Sequence, residues 1–169
     1  MKIFKKILLY PFKKFKKAID KRKISKFLSN VTINKIDGIN GYDFELLISV
    51  ILENCKFKCN LTPKSKDNGA DILAYKNNLT WAIQTKLYYN HSVGNKGVQE
   101  VYTAKNYFNA NLGAIITNST FSKQAIDVAK KLNIILIDRT LLTKIISNNA
   151  KQNEYLLDSL AYEYLKEQI

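Results

Sequence analysis

The chain has 169 residues, 46% of them hydrophobic, with a formal net charge of +13, two cysteines and one histidine. That length suits one domain with a real core and is short for two. Two Cys and one His exclude a closed zinc site of four such ligands and any catalysis built on paired histidines, and unpaired thiols fit a reducing cytoplasm.

The charge is concentrated at the start. Residues 1–28 hold ten Lys and one Arg against Asp20, so ten of the thirteen net positive charges lie there and the rest of the chain is only mildly basic. Within this segment Ile3, Phe4, Ile7, Leu8, Phe12, Phe15 and Ile19 recur at spacings of three and four with lysines between them. This is the pattern of a basic amphipathic helix, interrupted near Pro11. Its longest apolar run, Ile7 to Tyr10, is too short for a signal peptide, and no stretch of the chain reaches the length of a membrane span. Three readings stay open for residues 1–28: a helix on an anionic membrane surface, an arm on DNA phosphates, or a helix packed on the domain.

Residues 29–40 read as a polar linker and residues 41–169 as the domain. From Gly41 to Cys55, the positions Phe44, Leu47, Ile48, Ile51, Leu52 and Cys55 make the apolar stripe of a helix, with Glu45 on its flank. A short strand follows, near Phe57 to Leu61. Asp71-Ile72-Leu73-Ala74-Tyr75 and Leu79-Thr80-Trp81-Ala82-Ile83 then read as two strands joined at Asn77-Asn78, because Asn tolerates positive φ in a two-residue turn. If Lys76 pairs with Leu79, Asp71 falls opposite Gln84, and the strand period puts Gln84 and Lys86 on one face. An acid, an amide oxygen and an amine gathered there can hold a divalent metal and a phosphate, as a nuclease must. The same three residues would also suit the solvated face of a half-buried hairpin.

Beyond the hairpin, Tyr88, Tyr89 and His91 belong to a polar loop, and Gly97 to Phe108 reads as a helix. Leu112 to Thr117 is a continuous apolar run, as expected of a strand covered on both faces. Ser119 and Thr120 offer N-caps for a helix from Phe121 to Leu132, whose first amides would then be placed to hold a DNA phosphate. Ile134 to Ile137 is a second short buried strand, followed by helices from Thr140 to Ser147 and from Gln152 to Lys166. On the last of these, Leu156, Leu157, Leu160 and Tyr164 form a stripe that either covers the sheet or serves a homodimer. The element order implies an α/β fold, a mixed β-sheet with helices on both faces.

Several ordered segments carry a resemblance. Gly41-Tyr42-Asp43-Phe44-Glu45, Lys66-Asp67-Asn68-Gly69-Ala70-Asp71 and Ile83-Gln84-Thr85-Lys86 are followed by Val93-Gly94 with Val98-Gln99-Glu100. Ile116-Thr117-Asn118 with Phe121 and Ala125 comes next, then Ile137-Asp138 with Leu141. From Asp37 to Leu142 the chain resembles the Mrr-type (type IV) restriction endonuclease domain of the PD-(D/E)xK nuclease superfamily. The resemblance implies a restriction-endonuclease-like core and a DNA endonuclease that hydrolyses phosphodiester bonds with Mg2+ or Mn2+ in restriction or phage defence.

It also implies roles. Asp71 would be the metal-binding acid, Gln84 would stand where Glu is commoner, Lys86 would be the signature lysine and Glu45 the helix-borne acid. The metal ligands would be Asp71, Gln84 and the Thr85 backbone carbonyl. Asp67, the first acid of an Asp-x-Gly-x-Asp segment, would reach substrate through the metal, and Gln99, Ser119 and Thr120 would contact DNA or phosphate. Gln at position 84 is a feature of the Mrr branch; with one charge fewer it favours weaker metal binding and one ion over two. Alternatives within reach are a Holliday-junction-resolvase-like or repair nuclease, and a non-catalytic nuclease-like module that binds DNA or membrane. The partners implied are DNA, a second copy of the chain and an anionic membrane surface, with the protein in the cytoplasm or peripheral to the inner face of the membrane.

Overall fold

The computed structural model describes residues 31–63 and 68–166; the basic segment 1–28 and Asp67 lie outside the described residues. The described chain begins with one helical turn, α1 (Ile33–Ile36), which Thr32 caps, and Ile36 is fully buried. Much of the segment expected as a linker therefore packs into the domain. Ile33, Ile36 and Ile39 recur every three residues, which gives that turn an apolar side.

Helix α2 (Gly41–Asn54) starts at Asn40, whose side chain accepts from the Asp43 N–H at 3.0 Å and donates to the Asp43 carboxylate at 2.7 Å. This reciprocal cap satisfies an orphan donor of the first turn. Phe44, Leu47, Ile48, Ile51 and Leu52 are buried, as their spacing requires. The remaining elements are β1 (Lys58–Leu61), β2 (Ile72–Lys76), β3 (Leu79–Lys86), α3 (Asn95–Tyr107), β4 (Leu112–Thr117), α4 (Lys123–Leu132), β5 (Ile134–Ile137), α5 (Arg139–Ser147) and α6 (Ala150–Lys166).

The strands form one five-stranded sheet in the order β1-β2-β3-β4-β5. The pairs β1–β2 and β2–β3 are antiparallel, and β3–β4 and β4–β5 are parallel. Parallel neighbours need crossovers, and α3 and α4 supply them. Between β2 and β3, Lys76 pairs with Leu79 across Asn77 (φ 50°) and Asn78 (φ 62°). Two consecutive positive φ values mark the type I′ turn that suits the twist of a hairpin.

Alternation along the strands gives each face its own core. On one, Val98 and Val101 of α3 with Ala125 and Ala129 of α4 pack on Ile115 and Ile134, while Ala104 packs with Leu73 and Ala82. On the other, Ile48, Ile51 and Leu52 of α2, Leu142 and Ile145 of α5, and Leu157 of α6 converge around Ile116 and Ile137. Of the stripe on α6, Leu157 thus covers the sheet and is withdrawn from any subunit interface. Double coverage explains why β4 and β5 read as unbroken apolar runs.

Candidate active site

The site lies where β2 and β3 part. Their ladder begins at Ile72 opposite Ile83, while β3 continues beside β4 as far as Lys86 opposite Thr117. The Asp71 N–H donates to the Ile83 carbonyl at 2.8 Å and its own carbonyl accepts from the Thr62 N–H at 2.9 Å, so its backbone closes the ladder. Its carboxylate occupies the fork beyond. There Asp71 Oδ2 accepts from the Thr85 N–H at 2.7 Å, from the Thr85 hydroxyl at 2.9 Å and from Gln84 Nε2 at 2.7 Å. Asp71, Gln84 and Thr85 are only 9%, 7% and 8% exposed, so the carboxylate does the job that backbone carbonyls do lower in the ladder. The hairpin register does bring Asp71 and Gln84 together.

The approach to Asp71 depends on backbone conformation. Asn68 and Gly69 both have positive φ (45° and 89°), and a Cβ on Gly69 would overlap the carbonyl oxygen of Glu100 in α3. Only glycine combines that conformation with so close an approach. The loop therefore lies against α3 and enters β2 with Asp71 at the fork.

Lys86 shares its sheet face with Gln84, and α3 covers that face. Lys86 Nζ meets Glu100 Oε2 at 2.7 Å. No role was inferred for Glu100 from the sequence, although the signal was present. It is an acid on the flank of the α3 stripe formed by Gly97, Val98, Val101 and Ala104, all buried. Its neighbour Gln99 is exposed.

Glu45 is half-buried on α2, a helix on the sheet face opposite Gln84 and Lys86. The Tyr89 hydroxyl donates to the Ile39 carbonyl at 3.0 Å and ties the entry to α2 to the chain leaving β3. Glu45 lies six residues beyond Ile39, near the start of α2.

Ser119 and Thr120 do not cap α4. Ser122 does, its hydroxyl accepting from the Ala125 N–H at 3.1 Å. The intervening residues are held by a parallel bridge between Val93 and Phe121, with Val93 N–H on the Thr120 carbonyl at 2.8 Å, and this delays the helix. The Ser119 hydroxyl donates to the His91 carbonyl at 2.7 Å, and Thr120 is exposed.

A polar cluster braces this end of the sheet. Arg139 grips both oxygens of Asp37 at 2.7 Å and donates to the Asn118 carbonyl at 2.8 Å. These bonds hold the Asp37 carboxyl below its ordinary pKa range. Asn118, 2% exposed, accepts from the Tyr88 N–H at 2.8 Å and donates to the Tyr88 carbonyl at 3.0 Å and to Asp37 at 2.9 Å. The chain just beyond Lys86 is therefore fixed at both backbone groups. The Tyr88 ring lies on that of exposed His91, centroids 4.1 Å apart. Cys55 and Cys59 are both free thiols.

Among the described residues no three of His, Cys, Asp and Glu converge on one point. A cation at the fork would have Asp71 as its charged ligand and neutral oxygens from the Gln84 amide and the Thr85 carbonyl. Because the Gln84 nitrogen is committed to Asp71, its oxygen is the atom left to ligate. An all-oxygen set with one carboxylate, completed by water and phosphate, fits a hard ion such as Mg2+ or Mn2+.

A mixed sheet wrapped by helices and forked at a buried carboxylate is the architecture of a restriction-endonuclease-like nuclease domain. Residues 36–146 match the family Mrr_cat, described as restriction endonuclease, and the chain belongs to that family. No curated protein matches it. Among solved structures, a crystal structure described as protein of unknown function AF1548 shares the fold, with a TM-score of 0.54 and 18% identity over 75% of this chain and 79% of that one. The DNA modification-dependent restriction endonuclease AspBHI also gives 0.54 and 18%, over 83% of this chain and 40% of its own.

Proposed function

We propose that this protein is a divalent-metal-dependent endonuclease that hydrolyses DNA phosphodiester bonds in restriction or phage defence. The observation that carries this reading is the Asp71 carboxylate, buried at the β2–β3 fork in contact with Gln84 and Thr85, with Lys86 on the same strand, in a chain of the restriction endonuclease family. Burying a carboxylate is expensive unless its charge is used, and a ladder end needs only a neutral acceptor.

Asp71, the Gln84 amide oxygen and the Thr85 carbonyl would hold Mg2+ or Mn2+, which when bound acidifies water for attack on phosphorus and neutralises phosphate charge. Asp71 supplies the one full charge, oriented by the Thr85 N–H and hydroxyl. Lys86 presents its ammonium to a non-bridging phosphate oxygen, where charge grows as the bond breaks. Glu45 orients the attacking water from α2, with Asp67 as a further acid before Gly69. Gln99 and Thr120, both exposed, contact the DNA backbone. Residues 1–28 add a lysine-rich segment whose charge attracts DNA phosphates or an anionic membrane face, and the reaction takes place in the cytoplasm.

The test is digestion of modified plasmid, unmodified plasmid and a four-way junction with Mg2+, Mn2+ or EDTA. Metal-dependent cutting should vanish in Asp71→Ala and Lys86→Ala while far-UV circular dichroism keeps its native shape. Cutting by purified Asp71→Ala would overturn the assignment.

A further inference from the structure

Lys86 must deliver its charge to one place, yet a lysine side chain has four rotatable bonds and a mobile head. Glu100 limits that freedom. Its carboxylate meets Lys86 Nζ at 2.7 Å, with the two side chains 34% and 21% exposed. Such partly exposed pairs add little to stability, so the fold alone does not account for an acid on this flank of α3. The same residue touches the site a second way, since its backbone carbonyl lies against Gly69, two residues before Asp71. One position of α3 thus abuts both the loop that carries the acid and the lysine.

We propose that Glu100 is the positioning residue of Lys86, holding its ammonium beside the fork before DNA arrives. The kinetic consequence rests on the endonuclease reading; the positioning itself does not.

The experiment compares wild type, Glu100→Gln and Glu100→Ala by two independent readouts. In the first, lysines are reductively 13C-methylated and followed by NMR, with Lys86 assigned through Lys86→Arg. Lys86 should show restricted motion in wild type, an intermediate state in Glu100→Gln, and the mobility of a surface lysine in Glu100→Ala. In the second, kcat for plasmid cleavage should fall on the order of tenfold to a hundredfold in Glu100→Ala and less in Glu100→Gln, with DNA KM and the Mg2+ half-saturation unchanged. Mobile Lys86 in the wild type would overturn the proposal, as would a raised Mg2+ requirement, which makes Glu100 a ligand, or a Tm loss in both variants that tracks the rate loss. A wild type that cuts no DNA, yet whose Lys86 is released by Glu100→Ala, refutes the endonuclease reading and supports this one.

Discussion

Replacing Asp71 by Asn and by Ala separates what its oxygen does for the fold from what its charge does for chemistry. In the wild type, one carboxylate oxygen takes the Thr85 N–H, the Thr85 hydroxyl and Gln84 Nε2, at 2.7, 2.9 and 2.7 Å. Ala removes the one acceptor of all three bonds. The hydroxyl and the amide can rotate toward other partners, but the Thr85 N–H cannot, and Thr85 is only 8% exposed. Stranding that donor costs about 1–3 kcal/mol. Asn keeps one oxygen of the same reach and exchanges charge-assisted bonds for neutral ones, at a cost of about 1 kcal/mol or less. Urea melts followed by circular dichroism should therefore rank stability as wild type, then Asn, then Ala. Cleavage should rank differently, with both variants reduced on the order of a hundredfold or more because both lack the charge. If Asn destabilises as much as Ala, the charge and not the acceptor holds the fork. Wild-type cleavage by the Asn variant would remove Asp71 from the chemistry.

Gly69→Ala should lower the urea midpoint by the equivalent of about 1–3 kcal/mol, from a strained positive φ and overlap with the Glu100 carbonyl; an unchanged midpoint would refute that packing. Asp37 contributes with a defined sign, because Arg139 depresses its folded pKa, so the unfolded chain binds the proton first as pH falls. The Asp37–Arg139 pair, about a third exposed on each side, is worth about 1 kcal/mol or less. Its contribution is fully present above the ordinary carboxylate pKa of ~3.9 and is lost as pH falls through the lowered folded value. The stability difference between wild type and Asp37→Asn, from urea midpoints at stepped pH, should be flat above that range and shrink below it; a difference that widens on acidification contradicts this. Burial pushes the Cys59 thiol up to about 12 and also raises that of Cys55. Neither is then a thiolate at neutral pH, and a thiol reagent should label buried Cys55 only in denaturant and half-buried Cys59 slowly in the native protein. Rapid labelling of Cys55 in the native protein would show that its side chain is not packed as described.

Strand period and turn chemistry act within a few residues, so the hairpin could be read directly from the chain. Asn77-Asn78 and the alternation from Leu79 to Lys86 determined by themselves that Asp71 meets Gln84 and that Gln84 and Lys86 share a face. The apolar runs Leu112–Thr117 and Ile134–Ile137, and the stripe from Phe44 to Leu52, likewise marked the doubly covered strands and a core-facing helix. Tertiary structure decided what each face meets. Ser119, Thr120 and Ser122 all carry a capping hydroxyl, and the Val93–Phe121 bridge selected Ser122. Residues 31–40 became part of the domain once Ile36 found the core and Asp37 found Arg139, 102 positions away. Glu100 is the sharpest case, because helical period placed it on the flank of the buried stripe of α3 but said nothing of a lysine 14 residues earlier. Periodicity assigns a side chain to a face locally, whereas its partner depends on how a helix docks on the sheet, a choice made by distant surfaces together.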